Sequence, residues 1–401
     1  MTLDRYFMGN ARWQLLKFKG RSAHARIGWN VSTTLIVALC VLCAASGCST
    51  SPQSSQSTPS GLTVQAHTVQ PVNSPSSMVS SPIATSSTKA YISIVGQNFV
   101  YNNNPIHPYG STMYPYWNYH GALHKGGGWT YPAFRSYIDQ IISMAQQAHL
   151  NTLRPTNFFD GTTYGDWYNA TVWSNMDYLF QEAASHGMYV ILDLSSFRDK
   201  TLKQGIYPYD PSLYTTAFSW VASRYAENPA LLNYAIAGEV ACPTGNDPLR
   251  PTSTQALTNY YQVLSDTLHA ADPNHLISSG GLSHLNQADC GIDWKSIFSL
   301  PHINMSAIHV YSDNDRTITI PMVASWAAKN GKPFTIEEFG FLQGEGDAHR
   351  SADFQNMFIL GKQFGVTSII FWNLGPEVSP SSYEVNPNTP LTWNTVISNA
   401  P

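Results

Sequence analysis

The sequence predicts an α/β protein: one (β/α)8 barrel, preceded by an export segment and an unstructured linker. Short apolar, strand-like runs alternate with helical stripes over roughly 300 residues, the pattern of repeated βα units in a single barrel. No Gly-rich phosphate loop follows the first strand, which argues against an open, doubly wound nucleotide-binding sheet. Polar residues gather just after the apolar runs, where a parallel barrel keeps its active site.

The chain opens with Arg5, Arg12, Lys17, Lys19, Arg21 and Arg26, then an apolar run from Leu35 to Ala45 that closes on Ala45-Ser46-Gly47-Cys48. A positive head, a short apolar stretch and small residues make a secretory signal. The run is too short to span a bilayer, which takes about 20 residues. Small residues before a Cys resemble the bacterial lipoprotein signal, in which that Cys, here Cys48, is lipidated and becomes the mature N-terminus. Ala45 stands where Leu is usual in that signal. Simple cleavage and an uncleaved anchor are the other readings. All three export the rest of the chain, so the expected location is extracellular, tethered at the cell surface or secreted. The membrane is then met only through the N-terminal anchor.

Residues 1–48 are therefore read as the export segment, 49–89 as a linker and 90–401 as the folded domain. Residues 49–88 hold no Asp, Glu, Lys or Arg and are dominated by Ser, Thr and Pro. Such a segment cannot bury enough apolar surface to fold.

In the folded part a hairpin-like opening comes first: Ile92 to Val95, Gln97 to Tyr101, a turn at Asn102-Asn103-Asn104, then a first barrel strand from Ile106 to Ser111. Phe134, Tyr137, Ile138, Ile141, Ala145 and Ala148 keep helical spacing, and Leu150 to Leu153 follows as the second strand. Val172, Met176, Leu179, Phe180 and Ala183 form the next stripe, stopped by Gly187 before the strand Tyr189 to Leu192. Tyr214, Ala217, Phe218, Val221 and Tyr225 precede the strand Leu231 to Ile236. Leu257, Tyr261, Leu264 and Leu268 precede a weak strand, His275 to Ser278. The strands Ile303 to Val310 and Phe334 to Ile336 flank a helix at Ile320 to Ala328. Phe354, Met357, Phe358 and Gly361 then lead to the eighth strand, Ser368 to Trp372.

A formal net charge of −4 gives no basis for a nucleic-acid partner. The 22 Tyr and 11 Trp offer flat faces that either pack a core or stack on sugars. The cluster Tyr114, Tyr116, Trp117, Tyr119 and Trp129 after the first strand is open to both readings. Cys242 and Cys290 are the cysteines of the folded part, and their loops follow neighbouring strands, so an exported domain can pair them or bury two separate thiols. No Cys/His spacing has the form of a zinc site.

At the strand ends stand Arg154 after the second, Glu239 after the fourth, His309 and Tyr311 after the sixth, Glu338 after the seventh and Trp372 after the eighth. A carboxylate directly after an apolar strand is costly to bury without a partner. Two of them on strands four and seven would face each other across the mouth. Hydrolysis of a glycosidic bond needs such a pair, one to protonate the leaving oxygen and one to attack the anomeric carbon. A negative neighbour and partial burial are expected to raise the pKa of the acid, Glu239.

This strand-end set resembles clan A of the glycoside hydrolases, and most of all family 5, the cellulase and endo-β-mannanase family, over residues 90–401. The segment from Lys332-Pro333 to Glu338-Phe339-Gly340 carries the strongest motif and implies that Glu338 is the nucleophile, with Glu337 pointing away. The resemblance implies that Tyr311 contacts the nucleophile, that His309 meets the substrate, that Arg154 orients Glu338 and that Trp372 is the sugar platform. It implies Glu239 as acid/base. Three positions depart from the family. Gly238 and Val240 flank Glu239 where Asn and Pro are usual, and Ser195 stands where many members have His.

The resemblance thus implies a TIM barrel that hydrolyses a β-1,4-linked polysaccharide with retention, mannan first and cellulose or β-glucan close behind. A monomer is expected. That chemistry needs no metal and no cofactor. Arg154, His309, Tyr311, Trp372 and Trp117 are the expected substrate-binding or orienting residues. An impaired, lipid-anchored carbohydrate-binding barrel is the alternative, favoured by Gly238, and a surface adhesin on the same fold is a third reading.

Overall fold

The computed structural model describes residues 90–114, 128–158 and 167–401. The export segment with Cys48, the linker, and Tyr116, Trp117 and Tyr119 lie outside the described residues.

Strands β1 (Ser93–Val95), β2 (Asn98–Tyr101) and β3 (Asn104–Ile106) form a small antiparallel sheet. Its second turn places Asn102 and Asn103 at φ 50° and 63°, the left-handed pair that a tight hairpin turn uses and Asn tolerates. Ile92 and Phe99 pack on Leu276 and Met305, which stand where barrel strands begin. The small sheet therefore covers the end of the barrel opposite the strand C-termini.

The barrel strands are β4 (Tyr109–Met113), β5 (Thr152–Pro155), β6 (Tyr189–Asp193), β7 (Leu231–Ala235), β8 (Leu276–Ser278), β9 (Ser306–Val310), β10 (Phe334–Phe339) and β11 (Ser368–Phe371). They run in the order β8-β7-β6-β5-β4-β11-β10-β9, with parallel pairing throughout. A parallel bridge from Leu282 to Ile308 joins the segment after β8 to β9 and closes the ring. This is the (β/α)8 TIM barrel that the alternation predicted.

Several elements differ from expectation, among them the first barrel strand and the helix after β6. Ile106 belongs to the antiparallel sheet, and the first barrel strand starts at Tyr109. Pro108, which has no N–H to give a ladder, separates the two strands. A helix at Ser195–Lys203 follows β6 with no apolar stripe to announce it. Its buried face is largely polar: Ser195, Ser196, Arg198 and Lys200 beside Phe197.

The outer helices follow the expected stripes. In Ala170–Ser185, Val172, Met176, Leu179, Phe180 and Ala183 are all buried. Asn169 caps it by accepting from the Thr171 and Val172 N–H groups, and Gly187 leaves it in a left-handed turn.

Candidate active site

The strand C-termini bring the expected residues together. Arg154 on β5 is 1% exposed and forks between two carboxylates. Nη1 donates to Glu338 Oε2 at 2.9 Å, and Nη2 pairs with Asp193 Oδ2 at 2.9 Å. Tyr311 donates its hydroxyl to Glu338 Oε1 at 2.6 Å. Each Glu338 oxygen therefore holds a donor, which fixes the carboxylate in place. His309 Nδ1 lies 3.3 Å from Glu239 Oε1 and 3.6 Å from Glu338 Oε1. Donor atoms of Glu239, His309 and Glu338 all lie within 4.8 Å of one another. Those three atoms are close enough to chelate an ion, as is a surface group of Glu345, His349 and Asp353.

A β-bulge aims Glu338. The pairing of β10 with β9 matches Ile336 to Ile308 and then Glu338 to His309, so Glu337 is the extra residue. Phe334, Ile336 and Phe339 all join the core between barrel and helices. Strict alternation would send Glu338 to that same outer face, and the inserted residue re-aims it. Glu337 is 1% exposed and buried as well. Burial pushes its carboxyl up, against the pull of Arg154, Ser278 and His309.

The electrostatics reverse one expectation. Burial would raise Glu239, but His309, Arg198 and His284 outweigh it and hold its carboxyl below the ordinary value. Glu338 moves the other way: burial pushes it up against His309 and Arg154, and Glu239 adds to the rise. The expected raised acid at Glu239 is thus corrected. Its side chain is 42% exposed, against 9% for Glu338, and three basic groups face it. His309, though buried, is raised by the two carboxylates it faces.

Glu239 has φ 47°, in the left-handed region. At Gly238 a Cβ would lie 2.3 Å from the Gly280 carbonyl oxygen and 2.9 Å from His309 Cε1. The Asn usual in the family therefore has no room here. Trp372 is half-buried after β11, with its ring 4.8 Å from that of Tyr114. Cys242 and Cys290 form a disulfide that ties the segment after β7 to the one before β9.

The sequence reading missed two residues. Asp193 ends β6 and shares Arg154 with Glu338. The rule that found Glu239, a carboxylate closing an apolar strand, would have found it. Tyr383 comes from the loop after β11 and meets Tyr311 edge-on at 6.2 Å. It lies in a stretch without period, where no local pattern marks it.

Comparison with known proteins settles the family. The model of Cellulase (glycosyl hydrolase family 5) matches residues 111–378. The chain belongs to glycosyl hydrolase family 5. It is 24% identical over 293 residues to a probable mannan endo-1,4-beta-mannosidase F of Neosartorya fischeri, covering 60% of this chain and 61% of that protein's length. It is 24% identical to mannan endo-1,4-beta-mannosidase 8 of Oryza sativa, over 61% of this chain and 82% of that one. Among solved structures, an endo-1,4-beta-mannanase from Rhizomucor miehei superposes with TM-score 0.63 at 19% identity, over 77% of this chain and 99% of the other. An endocellulase from Pyrococcus horikoshii superposes with TM-score 0.54 at 13% identity, over 78% and 99%. Likeness at that identity shows the fold.

Proposed function

We propose that this family 5 protein hydrolyses β-1,4-linked polysaccharide outside the cell with net retention, with mannan the first substrate and glucan the second. One observation carries the reading. Glu239 and Glu338 come from opposite sides of the barrel mouth and bring carboxylate oxygens within 4.8 Å of each other. Retaining enzymes hold the two carboxyl groups about 5–5.5 Å apart, too close for a water to fit between sugar and base.

Glu338 attacks the anomeric carbon while Glu239 gives its proton to the leaving oxygen. Water then enters, gives a proton to Glu239 and releases the sugar from Glu338. Arg154 and Tyr311 hold Glu338 in line and stabilise its charge. In the free protein the basic groups around Glu239 hold its carboxyl below the ordinary value, while burial holds that of Glu338 above it. His309 Nδ1 stands against both carboxylates, so a proton has a short path between them. A sugar over the exposed Glu239 removes water from that carboxyl and raises it, which favours the productive form. Trp372 offers the face beneath the sugar, and Trp117 offers a further stacking face.

Mannan comes first because the two relatives named above are a probable mannan endo-1,4-beta-mannosidase and a mannan endo-1,4-beta-mannosidase. Residues 1–48 act as the export segment, with Cys48 as lipid anchor, and 49–89 as the tether. Mass spectrometry of the membrane-bound protein, set against a Cys48→Ser form, tests the anchor.

The central experiment is reducing-sugar release by residues 90–401 from mannan, carboxymethyl cellulose and β-glucan, with Glu239→Ala and Glu338→Ala alongside. Release from one polymer that both variants lose supports the pair and names the substrate. Binding without release by the parent protein supports the carbohydrate-binding alternative instead.

A further inference from the structure

Two of the departures from the family pattern, Ser195 and Gly238, touch each other. Ser195 Oγ accepts from the Gly238 N–H at 2.9 Å. Arg198, on the same helix, donates from Nη1 to the Gly238 carbonyl. Both polar ends of residue 238, just before Glu239, are thus held by side chains of one short helix.

The neighbouring backbone groups are held as well. Tyr261 donates its hydroxyl to the Ala237 carbonyl at 2.6 Å. Glu239 N–H donates to the Gly281 carbonyl at 3.0 Å. Ala241 N–H donates to the Tyr209 hydroxyl at 2.8 Å. Glu239 itself sits at φ 47°, which a side chain other than Gly keeps only where its surroundings over-determine it. Arg198 is 8% exposed, and its Nε and Nη2 both donate to Asp199 Oδ1, at 2.9 and 2.7 Å. That fork fixes the guanidinium plane and leaves Nη1 for Gly238.

We propose that Ser195 and Arg198 are positioning residues for Glu239: they clamp the Gly238 backbone on both sides and so aim the Glu239 carboxyl at the leaving oxygen. A side chain at 238 cannot do this, because its Cβ would meet the Gly280 carbonyl. The proposal rests on the acid/base reading of Glu239. The charged groups that face Glu239 are His309 on β9, Arg198 on this helix, His284 after β8 and Glu338 on β10, with the phenols of Tyr311 and Tyr383 nearby.

Aim matters most where the leaving oxygen needs a proton. The shorter sugar cleaved from a hexasaccharide is a poor alkoxide leaving group, whereas 2,4-dinitrophenolate departs from its glycoside unprotonated. The test measures kcat/KM across pH for Ser195→Ala, Arg198→Met, Arg198→Lys and Glu239→Ala. The substrates are mannohexaose or cellohexaose, whichever the parent cleaves, and the matching dinitrophenyl glycoside.

Arg198→Met is expected to lose about a hundredfold on the hexaose, the scale of a misplaced catalytic group, and far less on the aryl glycoside. Its alkaline limb on the hexaose should move to higher pH, since a positive charge facing the acid is gone. Arg198→Lys should restore the limb but not the full rate. Ser195→Ala should show the same leaving-group split at about tenfold. If Arg198→Met does not fold, the Ser195→Ala split decides the matter. Equal losses on both substrates with an unmoved limb, or no loss at all, overturn the proposal. A Glu239→Ala enzyme that keeps its hexaose activity sinks the acid/base reading itself. A split in Glu239→Ala that is absent from the Ser195 and Arg198 variants sinks only the clamp.

Discussion

Gly238 and Gly280 pass so closely that a Cβ on Gly238 would stand 2.3 Å from the Gly280 carbonyl oxygen. The contact is backbone against backbone, so no rotamer change relieves it. Gly238→Asn, which writes the usual family residue into this site, is therefore expected to destabilise the fold by about 1–3 kcal/mol through overpacking and to lower activity. Thermal unfolding and hydrolysis rates of the variant check both. A variant as stable as the parent and faster would mean that the two segments part easily.

Tyr311 and Arg154 hold separate oxygens of Glu338, and their loss should be felt differently. Tyr311→Phe removes one donor and is expected to lower kcat by about 10²–10³, with little change in unfolding temperature. Arg154→Met takes from Glu338 and Asp193 the guanidinium they share. Breaking a buried pair in this way costs about 3–5 kcal/mol, so stability and activity should fall together. Steady-state kinetics beside calorimetry separate the two cases.

The Cys242–Cys290 bridge closes a loop with a sequence separation of 48. The chain-entropy account gives such a crosslink about 4 kcal/mol. A Cys242→Ser, Cys290→Ser protein should unfold at lower denaturant concentration by that order. The bridge borders the segment that carries Glu239, so hydrolysis should also lose heat tolerance before the fold does. Denaturant titrations with and without reductant measure the first effect, and residual activity after heating the second.

Glu384 lies buried in the loop after β11, where desolvation raises its carboxyl to about 7. The folded protein thus holds this proton more tightly than the unfolded chain does. Its contribution is present below the unfolded value near 4.5 and is lost as pH rises through about 7. The loss amounts to roughly 3 kcal/mol at one pKa unit per 1.4 kcal/mol. Stability should fall over that window, and Glu384→Gln should flatten the fall. Unfolding free energies from pH 4 to 8 for both proteins are the measurement, and parallel curves would remove Glu384 as the cause.

Much of the architecture was open to reading from local pattern. The stripe from Val172 to Ala183 and the run from Tyr189 to Leu192 each need only their own residues to declare a helix face and a buried strand. The polar face of Ser195–Lys203 has no such period, and that helix was missed because its burial is earned by contacts with Gly238 and Asp199 rather than by apolar spacing. The strand ends were legible for a similar reason: a barrel fixes where its strands finish, so Arg154, Glu239, Tyr311 and Glu338 could be placed at one mouth before any contact was known.

What the chain determined by itself was the kind of residue at each strand end and the barrel that gathers them, because both depend on short-range periodicity and chemistry. The tertiary structure alone decided three further matters. It chose Glu338 over Glu337 for the mouth, through a bulge that exists only in the pairing of β10 with β9. It explained Gly238, through a backbone contact with a residue some forty positions away. It holds the Glu239 carboxyl below its ordinary value, against burial, through His309, Arg198 and His284, which come from three separate segments. Electrostatic energies depend on distances of a few ångströms, and those distances arise only when the segments meet.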